Sequence, residues 1–445
     1  MRLLILLDGA DYAAPPFLAL ATYLRPAMEI ILASANAERL AEYAAQGWPT
    51  HLIEATDASQ SHPIGRSPLL QLWPDARHSY RQHRALAQQA RHLLQQTQPD
   101  VIVMAGDFDG LTYHLAQQPA VPSIVLQITM LHHDADLLIG RFANPSRAHQ
   151  VAIQVLRGLS ALTGRSWLYR YPNGRYSLPH GLAVGKTLGA VLAGKRYQMP
   201  VKGFFCSALC VNGPSDAAVF ADLGVPPEKI HLTGSPNADL FHQTRQAHQP
   251  SASAALKTQL GLPPQAKLIS FFLQPFSDSM LGGQGYASEI KQLAAQLSEL
   301  AEDVHLVLKL HPRHPLSRYQ PDPHPRIHWL EHAHYPGEDF NNALILASQF
   351  TITRSSTIGY NALALNVPLL SYAFYDLPIE KMLQPMTPLA HATSPHAFLA
   401  LAQRLWHDPD FGQAVLSAQQ TIRDQYMLLD GQCMERIKGV LLGLG

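Results

Sequence analysis

The sequence predicts an α/β protein built from two successive doubly wound parallel sheets facing a cleft. Three observations predict it. Short apolar runs alternate with longer amphipathic stretches through residues 1–242. The same alternation begins again at residue 267. Between the two series, residues 243–266 are rich in Gln, Ala, Ser and Pro with little periodicity, as in a linker. Strands alternating with helices imply right-handed crossovers, and hence a parallel sheet with helices on both faces. The length, 445 residues, fits two or three domains at about 150 residues each.

In the first series, Leu3–Leu7, Ile30–Ala33, Val101–Met104 and Ile124–Gln127 have the uninterrupted apolar character of buried strands. Residues 35–46 and 78–97 between them read as helices. Phe204–Val211 reads as a further strand, followed by Gly213-Pro214-Ser215-Asp216, in which Ser215 is the expected helix N-cap. Ile230–Thr233 closes this domain, assigned to residues 1–242. The second domain, 267–409, has strands Lys267–Phe272, Val304–Leu308, Ile327–Leu330, Phe350–Thr353 and Leu369–Tyr372. Its helices are 286–301, 338–347, 357–365 and 394–407. Residues 410–445 read as amphipathic helices packing back on the first domain.

Composition narrows the function. Lys plus Arg and Asp plus Glu number 33 each, so the formal charge is zero, and 23 His residues are present. An apolar fraction of 47% excludes a disordered chain. No overall basic excess exists to neutralise a nucleic-acid backbone. Three cysteines, Cys206, Cys210 and Cys433, cannot make a disulfide framework and fit a reducing cytoplasm. The apolar run after Arg2 is too short for a secretory signal, and no run reaches transmembrane length. Residues 178–194, with Lys186, His180 and four glycines, are the candidate for a peripheral contact with the inner membrane face or an assembly complex.

In open parallel sheets, ligands bind beyond the carboxyl ends of the strands. Two motifs stand at such ends. The strand Val304–Leu308 runs into Lys309-Leu310-His311-Pro312-Arg313-His314. Proline stops the ladder there and presents His311 at the sheet edge. An imidazole can donate to a phosphate oxygen, and Lys309 and Arg313 add charge-assisted contacts. The strand Phe350–Thr353 runs into Arg354-Ser355-Ser356-Thr357-Ile358-Gly359-Tyr360-Asn361. Three hydroxyls open a helix whose free N–H groups and dipole favour an anion, and Gly359 permits close approach of a ligand to the backbone. Together the motifs form a phosphate or diphosphate cradle.

Lys-Leu-His-Pro, followed by Ser-Ser-Thr in a second turn, resembles the His-Pro and Ser-Ser/Thr motifs of GT-B-fold bacterial transferases that make surface polysaccharides. That group includes capsular sialyltransferases, Kdo transferases and CDP-glycerol glycerophosphotransferases. The resemblance implies two Rossmann-like domains, and a cytidine nucleotide's phosphate held by His311, Ser355, Ser356 and Thr357. Ile230–Asp239, with Gly234, is similar to the segment closing the N-terminal domain of that superfamily. Leu268–Pro275, with Gln274, looks like the first strand of its nucleotide domain. Leu369–Pro378 resembles the strand and aromatic-Asp segment of the polyol transferases. Leu178–Lys186 is similar to their acceptor-side His-Gly region. Two positions depart. Thr353-Arg354 stands where the polyol transferases have Thr-Asp-Tyr, and Asn361 lies near where many nucleotide-sugar enzymes place a ribose-binding Glu.

An inverting transfer needs a base for the acceptor hydroxyl. Asp107 and Asp109 follow the strand Val101–Met104, within Gly-Asp-Phe-Asp-Gly. His180 has a near-neutral intrinsic pKa. Asp8-Gly9 follows the first strand. His132, His133, Asp134 and Asp136 form a fourth candidate group. Gly181–Thr187 has one residue too few between its glycines for a P-loop. The His311, His314, His324, His328, His332 and His334 set lacks structural-zinc spacing, so no metal is expected. No Gly-x-Gly-x-x-Gly occurs, so no nicotinamide or flavin is expected, and no cofactor at all. The expected activity is metal-independent sugar transfer from a CMP-sugar of sialic acid or Kdo type to a saccharide or glycolipid acceptor in capsule or other surface polysaccharide synthesis. The alternatives are CDP-glycerol-type transfer, UDP-sugar 2-epimerisation, and a non-catalytic nucleotide-sugar-binding subunit.

Overall fold

A computed structural model describes residues 1–7, 14–54, 68–107, 110–127, 147–163, 168–170, 176–177, 184–197, 202–274, 285–375 and 378–445. The chain forms two compact units, Met1–Asn237 with Gln432–Gly445, and Ala238–Gly431.

The first unit holds β1 (Arg2–Leu6), β2 (Glu29–Ser34), β3 (Thr50–Leu52), β4 (Val101–Met104), β5 (Ser123–Leu126), a two-strand ribbon of β6 (Tyr169–Arg170) and β7 (Tyr176–Ser177), β8 (Ala208–Val211) and β9 (Ile230–Leu232). Its helices are α1 (Ala14–Leu24), α2 (Ala37–Ala45), α3 (Pro68–Thr97), α4 (Gly110–Ala116), α5 (Arg147–Thr163), α6 (Val184–Leu192) and α7 (Pro214–Asp222). The main sheet runs β3-β2-β1-β4-β5-β8-β9, and every pairing in it is parallel. β1 and β4 are wholly buried after Arg2, because helices cover both faces and leave no solvent side for polar residues. Leu4, Leu6, Ile102, Met104, Val125 and Leu209 form the core with Phe220 from α7.

The second unit begins with α8 (Pro236–Ala247) and α9 (Pro250–Gln259). β10 (Lys267–Phe272), β11 (Val304–Lys309), β12 (Ile327–Leu330), β13 (Ser348–Thr353), β14 (Leu369–Tyr372) and β15 (His391–Ala392) follow. Between and after them lie α10 (Tyr286–Ser298), α11 (Glu338–Leu346), α12 (Ile358–Ala364), α13 (Pro395–His407) and α14 (Pro409–Tyr426). The sheet runs β12-β11-β10-β13-β14-β15, all parallel. Its core packs Ile269, Phe271, Leu306, Leu308, Phe350 and Ile352 against Leu293 and Phe398. Both sheets follow the doubly wound order, with the direction of winding reversing between β1 and β4 and between β10 and β13.

Four expectations change. Residues 243–266 are not a linker: α8 and α9 occupy most of them, each opening on a proline. Proline is favoured in the first helical turn because its missing N–H is not needed there. Weak periodicity hid α9, which buries only Leu256. The unit boundary falls at 237/238, five residues before the expected one. α14 belongs to the second unit, so only α15 (Cys433–Leu442) returns to the first. There Glu435 takes a hydrogen bond from Tyr23 of α1, and Arg436 donates to the Thr233 carbonyl at 3.2 Å. Finally, α7 is capped by the backbone of Gly213 with Pro214 at its first position, so Ser215 is not its N-cap.

Candidate functional site

The carboxyl edge of the second sheet collects the two motifs around its switch point. β10 and β11 pair through Phe272 and Lys309, and the Leu273 N–H continues to the Lys309 carbonyl at 3.0 Å. The next residue, Gln274, reaches across to the end of β13. Its Oε1 accepts from the Ser355 N–H at 2.9 Å and from the Ser355 hydroxyl at 3.1 Å. A continuous chain of contacts therefore links Lys309, Leu273, Gln274 and Ser355 where the winding reverses. All four residues are buried.

Lys309 is only 3% exposed, and burial pulls its ammonium down to about 8. His311 is half-buried, and its Nδ1 accepts from the Arg313 N–H at 3.1 Å. Burial, reinforced by the charges of Arg313, His314, His332 and Lys309, lowers it to about 4. At neutral pH the ring is therefore uncharged, and with Nδ1 accepting, its proton sits on Nε2. His311 is thus a fixed neutral donor. Arg313 is exposed beside it, as is Pro312.

The hydroxyl turn divides its labour. Ser355 is engaged with Gln274. Ser356 Oγ accepts from the Ile358 N–H at 3.3 Å and caps the seven-residue α12. Thr357 is exposed and makes no side-chain cap. Gly359 does not serve close ligand approach: a Cβ there would lie 2.8 Å from Leu383 Cδ1, so its smallness serves packing. Asn361 is buried, and its Nδ2 donates to Glu338 Oε2 at 2.8 Å and Asn342 Oδ1 at 3.0 Å. It holds the first turn of α11 through Glu338 and Asn342.

Arg354 is the residue that sequence reasoning passed over. Its side chain is 1% exposed, pairs with Glu289 of α10, and lies 3.3 Å from Glu380. Its guanidinium stands 4.7 Å from the Tyr372 ring centre and 5.3 Å from those of Tyr286 and Tyr375, within cation–π range. Tyr375 donates to Glu289 through its hydroxyl, and its N–H donates to Glu380 Oε2 at 2.8 Å. The network ties α10, the end of β13, the 375 loop and the 380 segment into one frame around the hydroxyl turn. An arginine after a buried strand, followed downstream by the aromatic run Tyr372-Ala373-Phe374-Tyr375, was the available signal.

Most remaining histidines of this unit have their own partners. His314 lies 3.1 Å from the Tyr319 hydroxyl and 2.7 Å from Arg318 Nη1. His305 of β11 stacks on His328 of β12, with Nδ1 and Nε2 3.0 Å apart. Burial lowers all three.

In the first unit, Asp107 departs from its expected role. It is fully buried. Oδ1 accepts from the Gly203 N–H at 2.9 Å, and Oδ2 from those of Phe205 at 2.7 Å and Cys206 at 2.8 Å. A carboxylate with both oxygens engaged by the main chain fixes a loop and has no oxygen presented to an acceptor. The same contacts explain why the expected strand from Phe204 starts only at Ala208: those N–H groups are not available to a ladder. Gly234 follows β9 with φ +77°, a left-handed turn suited to glycine. Asp8, Gly9, Asp109, His132, His133, Asp134, Asp136 and His180 lie outside the described residues.

No protein-family model matches the chain, and no curated protein does. Solved structures do. A UDP-N-acetylglucosamine 2-epimerase is 16% identical with a TM-score of 0.56, over 99% of this chain and 95% of that one. Anabaena HepE, in complex with UDP and glucose, is 12% identical with a TM-score of 0.53 over 100% of both chains. The wall teichoic acid polymerase TagF is 14% identical with a TM-score of 0.55, over 100% of this chain and 88% of that one. These likenesses show the fold: the two parallel-sheet, Rossmann-like domains are those of GT-B proteins.

Proposed function

We propose that this chain is a glycosyltransferase that moves a sugar from a nucleotide-activated donor to a saccharide acceptor. The observation that carries the reading is the contact chain Lys309–Leu273–Gln274–Ser355 at the switch point, with His311 beside it as a neutral donor. In this reading the donor phosphate accepts from His311 Nε2–H and from the hydroxyls of Ser356 and Thr357. Ser355 acts indirectly, by locking the turn to Gln274. Lys309 and Arg313 offset the negative charge that grows on the departing nucleotide, which stabilises the transition state electrostatically. Asn361 presents Glu338 toward the nucleotide's hydroxyls. The acceptor's proton goes to Asp109 or His180, since Asp107 is engaged by the main chain. The donor we favour is a CMP-sugar of sialic acid or Kdo type, used in surface polysaccharide synthesis, with CDP-glycerol as the nearest variant.

A second reading is a UDP-sugar 2-epimerase, favoured by the structural likeness to that enzyme and by the UDP bound in HepE. It needs no acceptor. Incubation with UDP-N-acetylglucosamine alone separates the two: an epimer supports the second reading, whereas turnover that requires an added saccharide supports the first. A thermal-shift panel of CMP, CDP, UDP, GDP and ADP tests the nucleotide. A binder at about 100 times its Kd raises stability by about 2.7 kcal/mol. Stabilisation by UDP with none from CMP or CDP overturns the cytidine assignment. Nucleotide binding unaffected by His311→Ala with Ser356→Ala overturns the cradle, and leaves only a binding subunit of another design.

A further inference from the structure

Away from its switch point, the first sheet ties its carboxyl edge together with one side chain. β5, β8 and β9 lie side by side, with Leu126 level with Cys210 and Val211 level with Leu232. Main-chain bonds continue past the ladders. The Gln127 N–H donates to the Cys210 carbonyl and the Gly234 N–H to the Val211 carbonyl, each at 3.0 Å. The Gln127 side chain then serves two neighbours. Its Oε1 accepts from the Asn212 N–H at 3.1 Å, and its Nε2 donates to Asp216 Oδ2 at 2.7 Å. Gln127, Asn212 and Asp216 are 2%, 4% and 1% exposed.

One group in this edge is left over. The Asn212 backbone is pinned, yet its side-chain Oδ1 is buried without a hydrogen-bond partner. Burying an amide oxygen unbonded costs stability, and an aliphatic side chain of similar shape there would not. The fold therefore does not account for the amide. Its surroundings indicate what it takes. An acceptor oxygen calls for a donor, which excludes phosphate and carboxylate. The residues that follow are Gly213 and α7, a nine-residue helix with no side-chain cap and with Asp216 in its first turn. The positive end of the helix and the Asp216 carboxylate offset one another, so the edge attracts an ion of neither sign. What suits it is a neutral hydroxyl, which both donates and accepts and so satisfies either end of an amide. Ligands of open parallel sheets bind beyond such strand ends.

We propose that Asn212 is a substrate-contact residue that holds a hydroxyl of a neutral sugar. That this sugar is the acceptor rests on the glycosyltransferase reading; the contact itself does not. Gln127 is its positioning residue, because it fixes both the Asn212 backbone and the start of α7. The contact is a source of specificity: a sugar lacking the hydroxyl leaves the buried amide unpaired.

The test compares the full chain with Asn212→Leu, which has a similar volume and no amide. Saturation-transfer NMR reads the binding of glucose, galactose and N-acetylglucosamine, and circular dichroism reads the melting temperature. Expected is binding of at least one of these sugars by the wild type, weakened about tenfold in the variant. The melting temperature should be unchanged or raised. Where transfer is observed, the acceptor KM should rise by the same factor, with kcat and nucleotide affinity held. Gln127→Leu is the contrast. It strips partners from the Asn212 N–H and from Asp216, so it should lower the melting temperature as well. Failure of the wild type to bind any of the three sugars overturns the proposal. Binding unchanged in Asn212→Leu also overturns it, and leaves the amide to ordered water. So does a lowered melting temperature in Asn212→Leu, since the amide then serves the fold. Absence of transfer to any saccharide, with sugar binding still lost in Asn212→Leu, sinks the transferase reading alone.

Discussion

The two units use the same winding order, yet they treat the carboxyl edges of their sheets differently. In the second unit, the residues after β10 and β13 are bonded across the edge and to the elements beside it: Gln274 to Ser355, Arg354 to Glu289 and Glu380. In the first, the described acid after β4 turns inward, and Asp107 holds the 203–206 loop. The same backbone plan thus carries a cross-linked sheet edge in one unit and a loop anchor in the other. A carboxylate after a strand of a doubly wound sheet is therefore not yet a catalytic group. What its oxygens already hold decides.

The largest effect that sharpens this contrast is expected at Arg354. Arg354→Met leaves Glu289 and Glu380 without their buried cation, and breaking one side of a buried pair costs about 3–5 kcal/mol. Urea unfolding followed by hydrogen exchange should show the loss in the second unit, with the first unit's strands protected as before. Arg354→Lys should rescue little, because an ammonium cannot bridge two carboxylates and lie flat among three tyrosine rings. A midpoint unchanged by Arg354→Met would break the idea that this network frames the hydroxyl turn.

Asp107 comes next. Asp107→Ala leaves three buried or half-buried N–H groups without their acceptor, at about 1–3 kcal/mol for each one left unsatisfied. Exchange of the Gly203, Phe205 and Cys206 amides should accelerate. A base would behave in the opposite way: Asp107→Asn would abolish turnover and leave the unfolding midpoint in place. The expected result is a lowered midpoint with turnover retained by the folded fraction, while Asp109→Asn or His180→Ala removes turnover.

The contrast also explains what was legible in the sequence. The sheets were, because buried parallel strands such as Val101–Met104 and Leu306–Leu308 are written in uninterrupted apolar residues. The turns after β11 and β13 were, because Pro312 and the Ser-Ser-Thr run punctuate the strand ends. Their partners were not. Gln274 and Ser355 are 81 residues apart, and Arg354 lies 65 from Glu289. Nothing local marks a side chain that will be engaged by a distant one. Helices α8 and α9 were hidden for a related reason: with little amphipathic face, they left composition alone to be read.

A smaller effect is expected at the ligand. His311→Ala removes one hydrogen bond to a charged group, about 1.5–3 kcal/mol, so nucleotide affinity should fall about tenfold or more at an unchanged melting temperature. Titration calorimetry of the wild type and the variant measures it. His314→Ala is the matched control: its ring is occupied by Tyr319 and Arg318, so affinity should hold.

Mild acid gives the smallest effect near neutrality, and it again separates the units. Burial holds six histidines of the second unit below their ordinary range: His305, His311, His314, His328, His332 and His391. In the first unit, His51 and His114 are so held. A histidine that titrates lower when folded binds fewer protons than in the unfolded chain. Its stabilising contribution is therefore full above about pH 6.5 and is lost as pH falls through the lowered value, which is about 4 for His114, His311 and His328. Between pH 7.5 and 6.5 little should change. From pH 6.5 to 5, hydrogen exchange should rise earlier in the strands of the second unit than in those of the first. Phosphate binding opposes this, because an anion beside His311 favours the protonated ring. Bound nucleotide should therefore move the second unit's acid transition to lower pH, and the first unit's hardly at all. Equal acid sensitivity in the two units, with no displacement by nucleotide, would detach the histidines from both the stability and the site assigned to them.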